Sequence, residues 1–510
     1  MDNREAVIRM HGISKRFDHK HANKNVDFML YKGEIVSLLG ENGSGKTTLM
    51  NMLAGIYFPD NGEIYVGGKS VTINSPAQAA ELGIGMVHQH FKLVDVFTAW
   101  ENIVLGEAGK LDVAASKAKI RGICDKYGFD VDPDKKIYNM TVSEKQTVEI
   151  VKVIYRGADI LILDEPTAVL TPQECERLFA VMRNMRQDGK SIIIITHKLN
   201  EVMEISDRVV VLRRGENAGE LETARTNPQE MTDMMVGHSL KLDIERPEPV
   251  DPKKRLVIKN INVTDIEGVK KVKNVSFYMN SGEILGIAGI SGSGQKELLE
   301  AIAGIQKVDS GSVIYINSKG EETELIGMHP QEIRDLGVAL SFVPEDRLGM
   351  GLVGNMNISE NMMLRTFGDS HKWFTDRERP RKVAQTVVDS LDVSTPGLDT
   401  PIRRLSGGNI QKILVGREIS SNPRVLLTAY AVRGLDIGSS YKIYDLINEQ
   451  KKKGVAVLFV GEDLDVLMQI SDKIMVLCDG EVSDIVDAKK VTKNEIGLLM
   501  TSLDNKRGEK

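Results

Sequence analysis

Two stretches of this 510-residue chain, "GENGSGKTTL" from Gly40 and "GISGSGQKEL" from Gly289, are versions of one pattern set 249 residues apart. "NVDF" at Asn25 matches "NVSF" at Asn274 with the same offset, while "ILILDEPT" (160–167) pairs with "VLLTAYAV" (425–432), and "ITHKL" with "VGEDL" (460–464), both at offset 265. A repeat of this period means two copies of one domain, the second carrying loop insertions. A chain of this length also exceeds what one hydrophobic core organises. Between the copies, "DIERPEPVDPKKR" (243–255) holds three prolines and many charges but no periodic apolar residues, so it reads as a linker. We place the domains at 1–247 and 248–510.

Each copy opens with a β-like run, "EIVSLL" before Gly40 and "EILGIA" before Gly289, followed by a glycine loop and a helix-compatible stretch. The apolar runs "ILIL" and "SIIII" flank the helical pattern "PQECERLFAVMRNMRQ", as buried parallel strands joined by a crossover helix do. The expected class is α/β. A net charge of −6 argues against a nucleic-acid partner. Cys124, Cys175 and Cys478 lack metal or disulfide spacing and read as reduced cytosolic thiols. The N-terminus has no apolar signal core and the longest apolar runs are strand-sized, so neither export nor a membrane span is expected.

The first loop fits G-x-x-x-x-G-K-[ST] from Gly40 through Glu41, Asn42, Gly43 and Ser44 to Gly45, Lys46 and Thr47, with Thr48 following. Glycines there let backbone N–H groups approach phosphate oxygens, Lys46 reaches the β and γ phosphates, and Thr47 can ligate Mg²⁺. Asp164, ending "ILILD", is placed to hold Mg²⁺ through water, and Glu165 beside it to accept a proton from an attacking water.

The order glycine loop, "VHQH", "TVSEKQ", "ILILDEPT" and "ITHK" resembles an ATP-binding-cassette (ABC) ATPase, over nearly the whole chain and twice. The resemblance implies tandem P-loop NTPase domains, each with a mixed, mainly parallel sheet, a small antiparallel β subdomain and a helical subdomain. It implies that Gln89 links Mg²⁺ and the attacking water to a transport partner, that His197 contacts the γ phosphate, and that Phe17 stacks on adenine. It further implies that two cassettes close head to tail, each glycine loop facing the other's signature segment.

The second copy departs from the pattern at its nucleotide face. Gln295 stands for Lys46, Glu345 for Gln89, Ala429 for Asp164, Tyr430 for Glu165, Glu462 for His197 and Ile266 for Phe17. Loss of the Lys46 cation alone removes a charged hydrogen bond of roughly 1.5–3 kcal/mol. Lys296 is no substitute, because one residue along a helix turns the side chain by about 100°. Yet this copy keeps "RLSGGNIQK" (404–412), a good match to the cassette signature, where the first has only "MTVSEKQ" (140–146). By the resemblance, one complete ATP site joins the first copy's loop, Gln89, Asp164, Glu165 and His197 to Ser406, Gly407, Gly408 and Asp436 of the second. The other site, with Gln295, Thr141 and Ser143, is degenerate. A decayed duplicate with no role would have lost "LSGGN" along with its loop.

"MVHQHFKLVDVFTAWENIVLG", "PTAVLTPQE" and "VPEDR…GLV" look closest to the nucleoside and simple-sugar importer branch. That implies two membrane permeases docking near 91–100, an extracytoplasmic solute-binding lipoprotein, and a peripheral position on the cytoplasmic face of the membrane. A ribose- or galactose-type monosaccharide importer remains the alternative. A soluble translation factor with fused cassettes is the reading from another class, and would need two intact sites and a long basic linker.

Overall fold

The computed structural model describes residues 5–18, 20–89, 91–107, 111–168, 170–239, 242–290, 292–335, 340–343, 348, 351–365, 376–461 and 463–501. Glu345 and Glu462 lie outside the described residues. The chain divides into two compact units, Met1–Lys241 and Leu242–Lys510. The parting falls shortly before the boundary expected at 248, because the start of the linker-like stretch is bonded into the second unit. Tyr441 Oη donates to the Leu242 carbonyl, Asn448 Nδ2 to that of Glu245, and Arg246 to those of Met468 and Ser471. Ile244 belongs to that unit's core.

In the first unit, β1 (Ala6–Phe17), β2 (Lys20–Tyr31), β3 (Ile35–Leu39), β4 (Asn61–Val66), β5 (Lys69–Val71), β6 (Ile84–Val87), β7 (Ile160–Asp164), β8 (Ser191–Thr196), β9 (Arg208–Arg213) and β10 (Glu216–Glu222) form two sheets. One is antiparallel, in the order β2-β1-β4-β5; the other runs β10-β9-β3-β8-β7-β6, parallel except at β9–β10. Every residue of β3, β7 and β8 is buried, as expected of strands covered on both faces. Alternate side chains supply two cores. Val36, Leu38, Ile162, Ile193 and Ile195 pack towards the antiparallel sheet, whereas Ile35, Leu161, Leu163, Ile192 and Ile194 pack with Phe179, Met182 and Met185 of the helix Pro172–Gln187. The helices Ala99–Val104, Val113–Tyr127 and Val142–Tyr155 build a third apolar cluster around Ile103, Ile120, Val148 and Val151.

The second unit repeats the plan with β11 (Lys254–Thr264), β12 (Lys270–Asn280), β13 (Ile284–Gly289), β14 (Ser310–Ile316), β15 (Glu322–Glu324), β16 (Leu340–Val343), β17 (Val425–Ala429), β18 (Ala456–Val460), β19 (Lys473–Cys478) and β20 (Glu481–Asp487). Its sheets are ordered β12-β11-β14-β15 and β16-β17-β18-β13-β19-β20, the same two topologies. The α/β class and the mixed, mainly parallel sheet of each repeat are as the sequence indicates. Because β6, β7, β8 and β3 are adjacent and parallel, their C-terminal ends share one edge, which is where ligands bind in open α/β sheets.

Candidate active site

The loop after β3 can only be built with glycines at its tight points. Gly40 and Gly45 have φ of 155° and 99°, and a Cβ on either would come within 2.3 Å of a backbone carbonyl, that of Leu212 or Ala22. The chain then enters the helix Lys46–Leu53, whose first N–H groups are not capped by a side chain. Such an end favours an anion. Lys46 is buried and folds back, its Nζ donating to the carbonyls of Gly40 (2.7 Å) and Glu41 (3.0 Å). Burial lowers its pKa, opposed by the charges of Glu165, Asp164 and Glu41. Ser44 Oγ is buried with no hydrogen-bond partner among the described residues. A helix start with no side-chain cap, one ammonium and an orphaned hydroxyl together complement a phosphate chain.

Asp164 ends β7, and Thr47 donates a hydrogen bond to it. Burial pushes its carboxyl up to about 6, against the pull of Thr47 and Lys46. An acid in so dry a place is ionised most readily beside a cation. Glu165 follows in a left-handed backbone conformation, φ 49°. Gln89 Nε2, arriving from the end of β6, donates to Glu165 Oε2 at 2.7 Å, and His197 Nδ1, just past β8, lies 3.1 Å from Oε1. The hydrogen bond with His197 is the main cause that holds the Glu165 carboxyl below its ordinary value. Three strand ends thus bring Gln89, Glu165 and His197 together beside the loop.

The other expected contacts are less concentrated. Phe17 ends β1, 42% exposed, edge-on to Tyr57 with ring centroids 5.3 Å apart. In the second unit Ser406 caps the helix Gly407–Ser420, accepting from Asn409 N, and Gly407 and Gly408 form its first turn. Thr141 caps the matching helix of the first unit, in a capping box with Glu144, but the β-branched Val142 stands where Gly407 does. Asp436 caps the helix Ile437–Lys452, bonded to Ser439 through both oxygens; Thr171 caps the equivalent helix of the first unit.

At the second unit's loop, Gln295 Nε2 donates to the Ile290 carbonyl (3.0 Å), copying the fold-back of Lys46 without its charge. Lys296 points away, 3.8 Å from Glu300 and half exposed. Tyr430 keeps the left-handed turn of Glu165, φ 52°, under the Arg433 guanidinium. Ala429 is buried where Asp164 would be. The turn of the first unit is retained there, without its ammonium and its two carboxylates.

Sequence reasoning missed Glu149 and Lys152, which hold the segment after Gln89. The signal available was an acid flanked by Val148, Ile150 and Val151 in an apolar helix.

The family model described as ABC transporter matches residues 23–168 and 272–428. The chain is 43% identical to the nucleoside import ATP-binding protein NupA of Lactococcus lactis subsp. cremoris, over 97% of this chain and 98% of that one. It is 42% identical to the guanosine import ATP-binding protein NupO of Bacillus subtilis, over 99% of both. Identity to the ribose import ATP-binding protein RbsA 1 of Rubrobacter xylanophilus is 37%, over 97% of this chain and 98% of that one.

Proposed function

The chain belongs to the ABC transporter family, and from that premise we propose that it is the ATP-hydrolysing subunit of an importer whose solute is a nucleoside. The nucleoside and guanosine relatives support that solute over a sugar, being nearer in sequence than the ribose relative. Two membrane permeases and an extracytoplasmic binding protein complete the transporter, with this subunit peripheral on the cytoplasmic face. Among the described residues no helix is long and apolar enough to cross a membrane.

The reaction is assigned to the first unit's machinery acting with the second unit's signature. Lys46 and the loop N–H groups hold the β and γ phosphates of ATP, Ser44 Oγ gains a partner in a phosphate oxygen, and Phe17 stacks on the adenine. Thr47, Asp164 and Gln89 would hold Mg²⁺, which neutralises phosphate charge when bound. A water attacks the γ phosphorus as its bond to the β–γ bridging oxygen breaks. Glu165, kept ionised by His197, accepts that water's proton. Ser406, Gly407 and Gly408 offer a helix N-terminus to the γ phosphate. Gln295, Ala429 and Tyr430 leave the second loop without a cation, a metal carboxylate or a base.

The observation that carries this reading is the Glu165 carboxylate fixed between Gln89 and His197, whereas the turn of the same shape in the second unit holds Tyr430. Glu165→Gln should abolish steady-state ATP hydrolysis by the complete chain, a loss of ~10²–10⁴ for a missing general base, while ATP binding is retained. Tyr430→Ala should leave turnover nearly unchanged. Comparable losses from the two changes would refute the assignment.

A further inference from the structure

One face of the helix Val142–Tyr155 grips both segments that carry the Gln89–Glu165 pair. Gln146 Nε2, on its first turns, donates to the carbonyl of Pro166, the residue after Glu165. Glu149 Oε1, one turn on, accepts from the backbone N–H of Lys92, three residues past Gln89, at 2.5 Å. Lys152 Nζ, a further turn on, donates to the Lys92 carbonyl at 3.2 Å. The three residues are spaced i, i+3, i+6, and so lie on one side of the helix. Thr141 and Ser143, the signature residues of this unit, stand at its N-terminal end.

Glu149 is an expensive choice for such a place. It is 4% exposed, its Oε2 has no partner among the described residues, and burial raises its pKa. Packing does not demand an acid here, as the second unit demonstrates. There the Val353 N–H donates to Asn361 Oδ1 as that of Val94 does to Asn102, which aligns Gly351 with Lys92. Gln411 donates to the Ala431 carbonyl, and Arg417 to that of Gly351, so the counterparts of the Gln146 and Lys152 bonds are both kept. At Glu149's place stands Leu414, fully buried in the core. Only the unit that holds Gln89, Glu165 and His197 has the carboxylate.

We infer that Glu149 is a positioning residue for ATP hydrolysis, tying the segment that carries Gln89 to the helix that also holds the Glu165 segment, so that the two move as one. The inference rests on the reading of Gln89 and Glu165 as the hydrolytic centre. Cutting the tie leaves Lys46 and its loop in place, so it lowers turnover and not ATP affinity.

The test compares kcat and KM for ATP hydrolysis by the complete chain in Glu149→Leu, Glu149→Gln, Gln89→Ala and the double variant Glu149→Leu/Gln89→Ala. Glu149→Leu, which installs the second unit's residue, should lower kcat about tenfold with KM unchanged within about twofold, the scale of one charge-assisted hydrogen bond. Glu149→Gln keeps an acceptor oxygen for Lys92 and should retain at least about half of the turnover. The double variant should be no slower than Gln89→Ala, since the tie acts through Gln89. Losses that multiply in the double variant, wild-type kcat in Glu149→Leu, or a Glu149→Gln as slow as Glu149→Leu would overturn the inference. Should Glu149→Leu not fold, Lys152→Met cuts the neighbouring bond and must show the same kcat loss and the same lack of additivity with Gln89→Ala. If Gln89→Ala and Glu165→Gln both hydrolyse normally, the failure belongs to the proposed site; if they are inactive and Glu149→Leu is not slowed, it belongs to the tie.

Discussion

Glu165 and Tyr430 occupy the same left-handed backbone position, with φ of 49° and 52°. A non-glycine residue pays roughly 1–2 kcal/mol there, and such strain persists where the surroundings over-determine it. In both units the turn is imposed by the neighbouring strand: the Glu165 N–H donates to the Ile195 carbonyl, and the Tyr430 N–H to that of Val460. The turn is therefore a property of the sheet, while the carboxylate placed on it is the property of one unit. Glu149 carries a pH signature. Its carboxyl is raised by burial, partly offset by the Lys92 N–H and by the charges of Lys152 and Lys92. Between the ordinary Glu value and the raised one the native state binds more protons than the unfolded chain, so this group costs stability as pH rises through that window. Glu149→Gln should accordingly gain in thermal midpoint over wild type on going from pH 4 to pH 7.5. A difference in midpoint that does not change with pH would contradict this.

At the scale of elements, the two units differ in how their strands are pinned. Arg208, opening β9, is buried against Glu34 at 2.9 Å and also reaches Glu220 on β10 and the Met29 carbonyl on β2. In the second unit Lys473 faces Glu283 at 3.5 Å and is 41% exposed, while Ile485 replaces Glu220. Removing one partner of a buried pair leaves an uncompensated charge, so Glu34→Ala should cost about 3–5 kcal/mol in the unfolding of the first unit. Glu283→Ala should cost the second unit less than about 1 kcal/mol, the scale of a partly exposed pair. Equal losses in denaturant unfolding would show that the geometry does not set the energies. Elements of this kind were partly legible beforehand. The buried strands and the glycine loop were, because apolar runs and obligatory glycines leave local marks. Bonds such as Gln89 to Glu165, 76 residues apart, were not, since nothing local distinguishes a glutamine that reaches a carboxylate from one that faces water. Glu149 bears a local mark, an acid among Val148, Ile150 and Val151, but its partner does not, being a backbone N–H that any sequence supplies.

Across the whole molecule, the proposed function divides the labour between the two units. The first unit carries the cation, the acids and the histidine; the second carries the glycine-rich signature on a helix N-terminus. The repeat made this asymmetry legible, since each loss in one copy could be read against its match in the other. The measurement that tests it most directly is the steady-state rate of ATP hydrolysis for two matched substitutions, Gly407→Asp and Val142→Asp. Both residues open their helices, where a carboxylate suits the helix dipole, so neither change should impair folding. By the assignment proposed above, a new negative charge at the second unit's signature repels the γ phosphate. The account predicts that Gly407→Asp slows turnover by roughly 10²-fold or more, the scale of losing a preorganised donor, while Val142→Asp stays within about twofold of wild type. Equal losses, or a larger loss from Val142→Asp, would contradict it.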